Sequence, residues 1–105
     1  MAGEPKIIYT FTSTACTSAS ACVSEGSDER KYLLVLNKAT TDLFLVVTAT
    51  STGKATVAGG LQLQPAGNVY DRFEMTPARG NLSAGWVHLI GNSTGSKTAL
   101  VVSSS

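Results

Sequence analysis

The feature that most constrains this chain is the grain of residues 32–102, where the longest unbroken aliphatic and aromatic runs are five residues and each is cut by a turn-forming cluster. Helices need a 3.6-residue apolar period sustained over ten or more positions, and no segment of useful length carries one. Strand-length runs separated by turn signals at this spacing predict an all-β fold, a small antiparallel β-sandwich or barrel of about seven to eight strands.

The 105 residues suffice for one domain and its core, since a chain of this size buries roughly 65% of its unfolded surface. The expected organisation is an N-terminal arm at residues 1–5 and a single sandwich domain at 6–105. Charged residues make up 14% of the chain, against about 25% in an average globular protein. Serine and threonine, 25 in all, take their place on the surface. A sparsely charged, hydroxyl-rich surface repels its neighbours weakly and tolerates permanent contacts.

Residues 6–12, Lys-Ile-Ile-Tyr-Thr-Phe-Thr, alternate and predict a half-buried strand with Ile7, Tyr9 and Phe11 on one face. Residues 13–27 are small and polar and read as a Ser/Thr/Cys-rich loop or loose hairpin. Residues 32–36, Tyr-Leu-Leu-Val-Leu, and 43–47, Leu-Phe-Leu-Val-Val, are continuous apolar strands whose connection, 37–42, reads as a hairpin. Alternation places large side chains on both faces of these two strands. An antiparallel strand with one wet face alternates more cleanly, so these are expected to be covered twice, by a second layer or by a partner. Further short segments follow at 54–58, 61–64, 69–74, 84–90 and 98–102, separated by turns at 65–67, 76–80 and 92–95.

The sequence supplies parts for several chemistries and assembles none. Cys16 and Cys22 are six positions apart, outside the CxxC pattern of redox and zinc sites, and are equally compatible with a small disulfide or two free thiols. His88 is the only imidazole, sits between Val87 and Leu89, and has no Gly-x-Ser-x-Gly elbow to serve. Asp71 and Glu74, three apart on a strand, point to opposite faces, which excludes a paired-carboxylate glycosidase site. The glycines at 59, 60 and 80 lack the GxxxxGK[ST] pattern of a phosphate loop. No catalytic, cofactor or metal site is therefore expected, and the chain is not expected to be an enzyme. Eight basic residues balance seven acids without clustering, which excludes a nucleic-acid stripe, and no run approaches the ~20 apolar residues of a membrane span. The N-terminus shows no secretory signal pattern. Trp86, Tyr70, Phe73 and Tyr32 offer the materials of a sugar-stacking platform, although core packing is the ordinary use of such side chains in a small sandwich.

From Asn37 to Val102 the order of elements resembles a group of small virion proteins of tailed bacteriophages. The resemblance lies in an Asn after a strand, an apolar strand, the segment Gly60-Leu-Gln-Leu-Gln-Pro-Ala-Gly67, the strand Gly85-Trp-Val-His-Leu-Ile90, and a final Leu100-Val-Val102. His88 and Leu89 stand where that group commonly has small residues, and the loop at 13–27 has no counterpart in it. The resemblance implies a capsid decoration, or cement, protein made in the host bacterial cytoplasm and carried on the capsid surface. Its implied partners are the major capsid protein and copies of itself in a homo-oligomer, with neither nucleic acid nor membrane. The contacts expected with the shell are Glu4, Pro5 and Lys6 in the arm and Thr17 and Ser18 in the loop. Leu34, Leu36, Leu43, Leu45, Val47 and Trp86 are expected to supply the core or a self-association face. The alternative is a carbohydrate- or receptor-binding module of a tail or spike, which would display exposed aromatics.

Overall fold

The computed structural model describes residues 9–91 and 97–104. Eight strands and one short 3-10 turn are formed: β1 (Tyr9–Cys16), β2 (Ala21–Ser24), β3 (Tyr32–Asn37), β4 (Leu43–Thr48), β5 (Leu61–Leu63), β6 (Arg72–Met75), β7 (Trp86–Gly91) and β8 (Lys97–Ser104). They build two four-stranded sheets with orders β1-β8-β3-β6 (sheet A) and β2-β7-β4-β5 (sheet B), every pairing antiparallel. The chain is thus the expected β-sandwich, and its strand order is that of an eight-stranded jelly roll.

The inner faces follow from alternation. Leu33 and Val35 of β3, Met75 of β6, Ala99 and Val101 of β8 and Cys16 of β1 pack against Leu43 and Leu45 of β4, Leu63 of β5, and Val87 and Leu89 of β7. Each large aliphatic side chain removed from water here contributes about 1.5–3 kcal/mol. Leu43 and Leu45 are core, as expected, and Val47 is half-buried against them. Leu34 and Leu36 are not core: the strand period turns them to the outside of sheet A.

The two apolar runs do not form a hairpin. β3 belongs to sheet A and β4 to sheet B, and residues 38–42 carry the chain across the sandwich. Asn37 makes that corner. It is fully buried, its Nδ2 donates to the carbonyls of Thr41, Leu63 and Gln64 at 2.9, 3.1 and 3.0 Å, and its Oδ1 accepts from Ala39 N at 2.8 Å. One side chain thereby satisfies backbone groups that a chain leaving a sheet would otherwise bury unpaired.

Other departures cluster where side chains are small. The segment 13–27 is largely strand, because β1 continues to Cys16 and pairs along its whole length with β8, while β2 pairs with β7. Tyr9 and Phe11 share a face as expected, but that face is exposed. Residues 54–58 form no strand. The turn after β5 is closed by Asn68 N donating to the Pro65 carbonyl at 3.1 Å, one residue later than the Pro-Ala-Gly pattern suggests, with Gly67 at φ 90°. The expected turn at 92–95 lies outside the described residues.

Candidate functional site

The outer face of sheet A is apolar from one edge nearly to the other. Leu33 and Val35 face the core, so Leu34 and Leu36 face outward, and the cross-strand register carries the pattern to the other strands. One row reads Phe11, Val102, Leu34, Glu74, and the next Ser13, Leu100, Leu36, Arg72. A third begins Tyr9, Ser104, Tyr32, with the Tyr9 and Tyr32 rings edge to face at 5.6 Å. Tyr9, Phe11, Tyr32, Leu34 and Val102 line a shallow apolar depression of about 380 Å³. No described segment crosses this face. Phe11 is 68% exposed and Tyr9 48%, high values for aromatic side chains on a regular strand.

Charge is confined to the β6 rim. The Arg79 guanidinium donates to Glu74 at 3.0 Å and the Tyr32 hydroxyl to the other Glu74 oxygen at 2.8 Å. The Tyr32 hydrogen bond, followed by that of Arg79, holds the Glu74 carboxyl below its ordinary value against the opposing effect of desolvation. Burial, then the Glu74 hydrogen bond and charge, pushes the Tyr32 phenol up. Next to them Arg72 Nε donates to Asp71 Oδ1 at 2.9 Å, lowering the Asp71 carboxyl and raising the Arg72 guanidinium.

Sheet B treats its outer face differently. Phe44, Val46, Thr48, Trp86, His88 and Ile90 point outward there, opposite to Leu43, Leu45, Val87 and Leu89. The long β4–β5 connection, residues 49–60, folds back over this face. Ala55 is buried and its N–H donates to Ser20 Oγ beside β2 at 2.8 Å. Gly60, where the segment returns, approaches so closely that a Cβ there would lie 2.8 Å from Phe44 Cβ and 2.9 Å from the Thr56 carbonyl. Beneath this cover His88 is 1% exposed, its Nε2 within 2.8 Å of Thr48 Oγ1. A histidine so enclosed and hydrogen-bonded is a packing residue.

The remaining candidates do not converge. Cys16 is buried on the inner face of sheet A and Cys22 exposed on sheet B; both are free thiols, and burial pushes the Cys16 thiol up. Thr17 and Ser18 are exposed in the β1–β2 turn, where the Thr17 carbonyl accepts from Gly91 N at 2.8 Å. Glu4, Pro5 and Lys6 lie outside the described residues. Trp86 is half-buried on sheet B, Tyr32 and Phe73 belong to opposite faces of sheet A, and Tyr70 is exposed in the β5–β6 connection, so these four aromatics form no common platform. Among the described residues no three His, Cys, Asp or Glu side chains are grouped to hold a metal ion.

A buried Arg30, missed by sequence reasoning, closes one end of the sandwich. Its guanidinium donates to the carbonyls of Ser83 and Gly85 at 2.7 and 2.9 Å, to Ser24 Oγ at 3.0 Å, and to the Glu25 carbonyl. Desolvation lowers its basicity, yet with four donors engaged it ties the β2–β3 connection and the end of β2 to the segment before β7. The only sequence signal was an arginine at the end of a charged corner.

No protein-family model matches the chain, and no curated protein matches it. One solved structure, described as "Bacillus endospore appendages form a novel family of disulfide-linked pili", is similar in backbone, with a TM-score of 0.53 and 10% sequence identity over 98% of this chain and 91% of that one. At that identity the likeness is one of fold.

Proposed function

We propose that this chain is a non-catalytic structural module that adheres to other protein subunits in a multi-copy assembly through the outer face of sheet A. The observation that carries the reading is the apolar outer face of sheet A, where Phe11 and Tyr9 are exposed and Leu34, Leu36 and Leu100 half-buried around the buried Val102, with no described segment lying across it, while a segment of the chain folds back over sheet B. An apolar face of this kind on a sparsely charged domain supplies adhesive area without chemistry. The strand-and-turn resemblance makes the assembly a tailed-phage head, with the major capsid protein as partner and the module as its cement. The backbone likeness to a pilus protein favours a filament as the second form of the same role.

The test is electron microscopy and co-sedimentation with the purified full chain. Saturable binding to expanded phage heads, lost in Phe11→Ser, supports the cement role; filaments of the protein alone support the second form. A chain that stays dispersed, binds no head and is absent from purified particles by peptide mass spectrometry refutes the structural reading.

A further inference from the structure

The apolar face of sheet A carries a charge pattern that fits its own copy. Across β1-β8-β3-β6, the row Ser13, Leu100, Leu36, Arg72 lies beside the row Phe11, Val102, Leu34, Glu74. We propose that the occupant of this face is the same face of a second copy, related by a two-fold axis that lies in the contact plane, perpendicular to the strands and between these two rows. Such an axis exchanges the rows. Leu36 then meets Leu34 of the second copy, Leu100 meets its Val102, and Arg72 stands opposite its Glu74, with every contact made twice. Shifting the axis onto the Phe11 row would instead stack Glu74 on its own counterpart, and shifting it onto the Ser13 row would do the same to Arg72. The charges thus select one register.

The geometry is that of ordinary sheet packing. Each strand lies over its counterpart, sheets about 10 Å apart and within about 30° of aligned, so that two inner layers and two facing outer ones form a four-layer body. Arg72 has a side chain 57% exposed and already directed to the rim, where its present partner, Asp71, leaves donors of the guanidinium unused. On the opposite edge β1 turns only Ser13 and Ala15 outward beside its two aromatics, so no like charges meet there. Four strands at about 4.8 Å spacing and up to eight residues at about 3.4 Å rise give a face of at most about 500 Å² in projection. Side-chain relief raises this toward the roughly 800 Å² that each member of a specific pair buries, which places the dimer at the dissociable end of the range.

The inference rests on the adhesive-module reading and narrows it to one partner. Sedimentation equilibrium of the full chain over a dilution series, with reductant present to keep Cys22 from cross-linking copies, tests it beside the head-binding assay. The expected result is a monomer–dimer equilibrium, weakened about tenfold or more in Phe11→Ser, weakened in Arg72→Glu, and recovered in Arg72→Glu/Glu74→Arg. Phe11 is so exposed that its replacement tests the face even where the charge exchange disturbs folding. A dimer indifferent to Phe11→Ser overturns this face as the contact, and one weakened by Phe11→Ser but not recovered by the exchange in a folded double variant overturns the two-fold register. A monomer at every concentration that still binds heads overturns the self-pairing alone and assigns the face to the shell protein. A monomer that binds no head and forms no filament removes the module reading as well.

Discussion

The two outer faces of this sandwich carry comparable apolar content and meet opposite fates. On sheet B the segment 49–60 bends over the outer face, anchored by the Ala55–Ser20 hydrogen bond, so that His88 is buried and Phe44 and Val46 are half-buried. On sheet A no described segment lies over the outer face, and Phe11 and Tyr9 stay exposed beside the half-buried Leu34 and Leu36. The difference teaches that a strand with large side chains on both sides states only that two covers are needed. Where the second cover is part of the chain, the face is a matter of stability; where it is not, the face is a matter of partners.

The contrast depends on β3 and β4 lying in different sheets, and it breaks most completely at Asn37. Asn37→Ala leaves the carbonyls of Thr41, Leu63 and Gln64 and the Ala39 N–H without their partner inside the protein. Two Nδ2 hydrogens shared among the carbonyls and one Ala39 N–H, at about 1 kcal/mol each, give an expected loss of about 3 kcal/mol in urea unfolding, among the larger a single substitution gives. A loss under about 1 kcal/mol means the crossing is held by something else.

Next in size is the pair His88→Ala and Phe11→Ser, which sets the faces directly against each other. His88→Ala opens a cavity under the 49–60 cover and removes one of the two hydrogen bonds of the Thr48 hydroxyl, costing about 2–3 kcal/mol. Phe11→Ser, on a side chain 68% exposed, leaves unfolding within about 0.5 kcal/mol while weakening association about tenfold or more. Thermal melts at a concentration low enough to keep the protein monomeric check both. Equal destabilisation by the two would mean that the sheet A face is covered from within after all.

Much of this was legible in the residues. Strand count, sandwich class and the alternating core of β4 follow from apolar periods, and the apolar character of both faces of residues 32–36 and 43–47 already demanded double covering. What was illegible has physical causes. A connection of five residues is as suited to crossing a sandwich as to closing a hairpin, and the deciding group, Asn37, looks like any turn asparagine until the carbonyls of Leu63 and Gln64, from a distant segment, join that of Thr41 as its partners. The second half of β1 and all of β2 escaped because edge strands bury little and so need no apolar period. The trace of β1 is the threonine at every second position, Thr10, Thr12 and Thr14, a β-branched pattern masked by the small residues after it. The surface face of sheet A was named only in part, since Leu34 and Leu36 were grouped with the core residues Leu43 and Leu45.

A smaller effect separates cover from sheet. Ser20→Ala removes the acceptor of the Ala55 N–H and with it one tether of the 49–60 segment, for an expected cost of about 1 kcal/mol. Hydrogen exchange sharpens this: faster exchange across 49–60 and at β7, with β8 and β3 unchanged, is the expected pattern, and uniform acceleration would show that the cover is inseparable from the global fold.

The least perturbation is titration of the β6 rim, which touches only the open face. Glu74 has its folded value held below the ordinary 4.5 by the Tyr32 hydroxyl and Arg79, so the folded state binds this proton less readily than the unfolded chain. Its contribution is therefore complete above pH 4.5 and lost as the pH falls through the lowered folded value. Asp71, lowered from 3.8 chiefly by its Arg72 hydrogen bond, adds a loss of the same sign, its contribution complete above pH 3.8 and lost as the pH falls through its own lowered value. Tyr32→Phe keeps the aromatic ring on the face and removes the hydroxyl donor, so its melting temperature should fall less steeply than the wild type's between pH 5 and pH 2. Ser20→Ala, on the side whose described outward residues include no carboxylate, should keep the wild-type slope. If Tyr32→Phe keeps it too, the rim's hydrogen bond contributes nothing, and Glu74 is free to turn from Tyr32 toward a partner's arginine without loss.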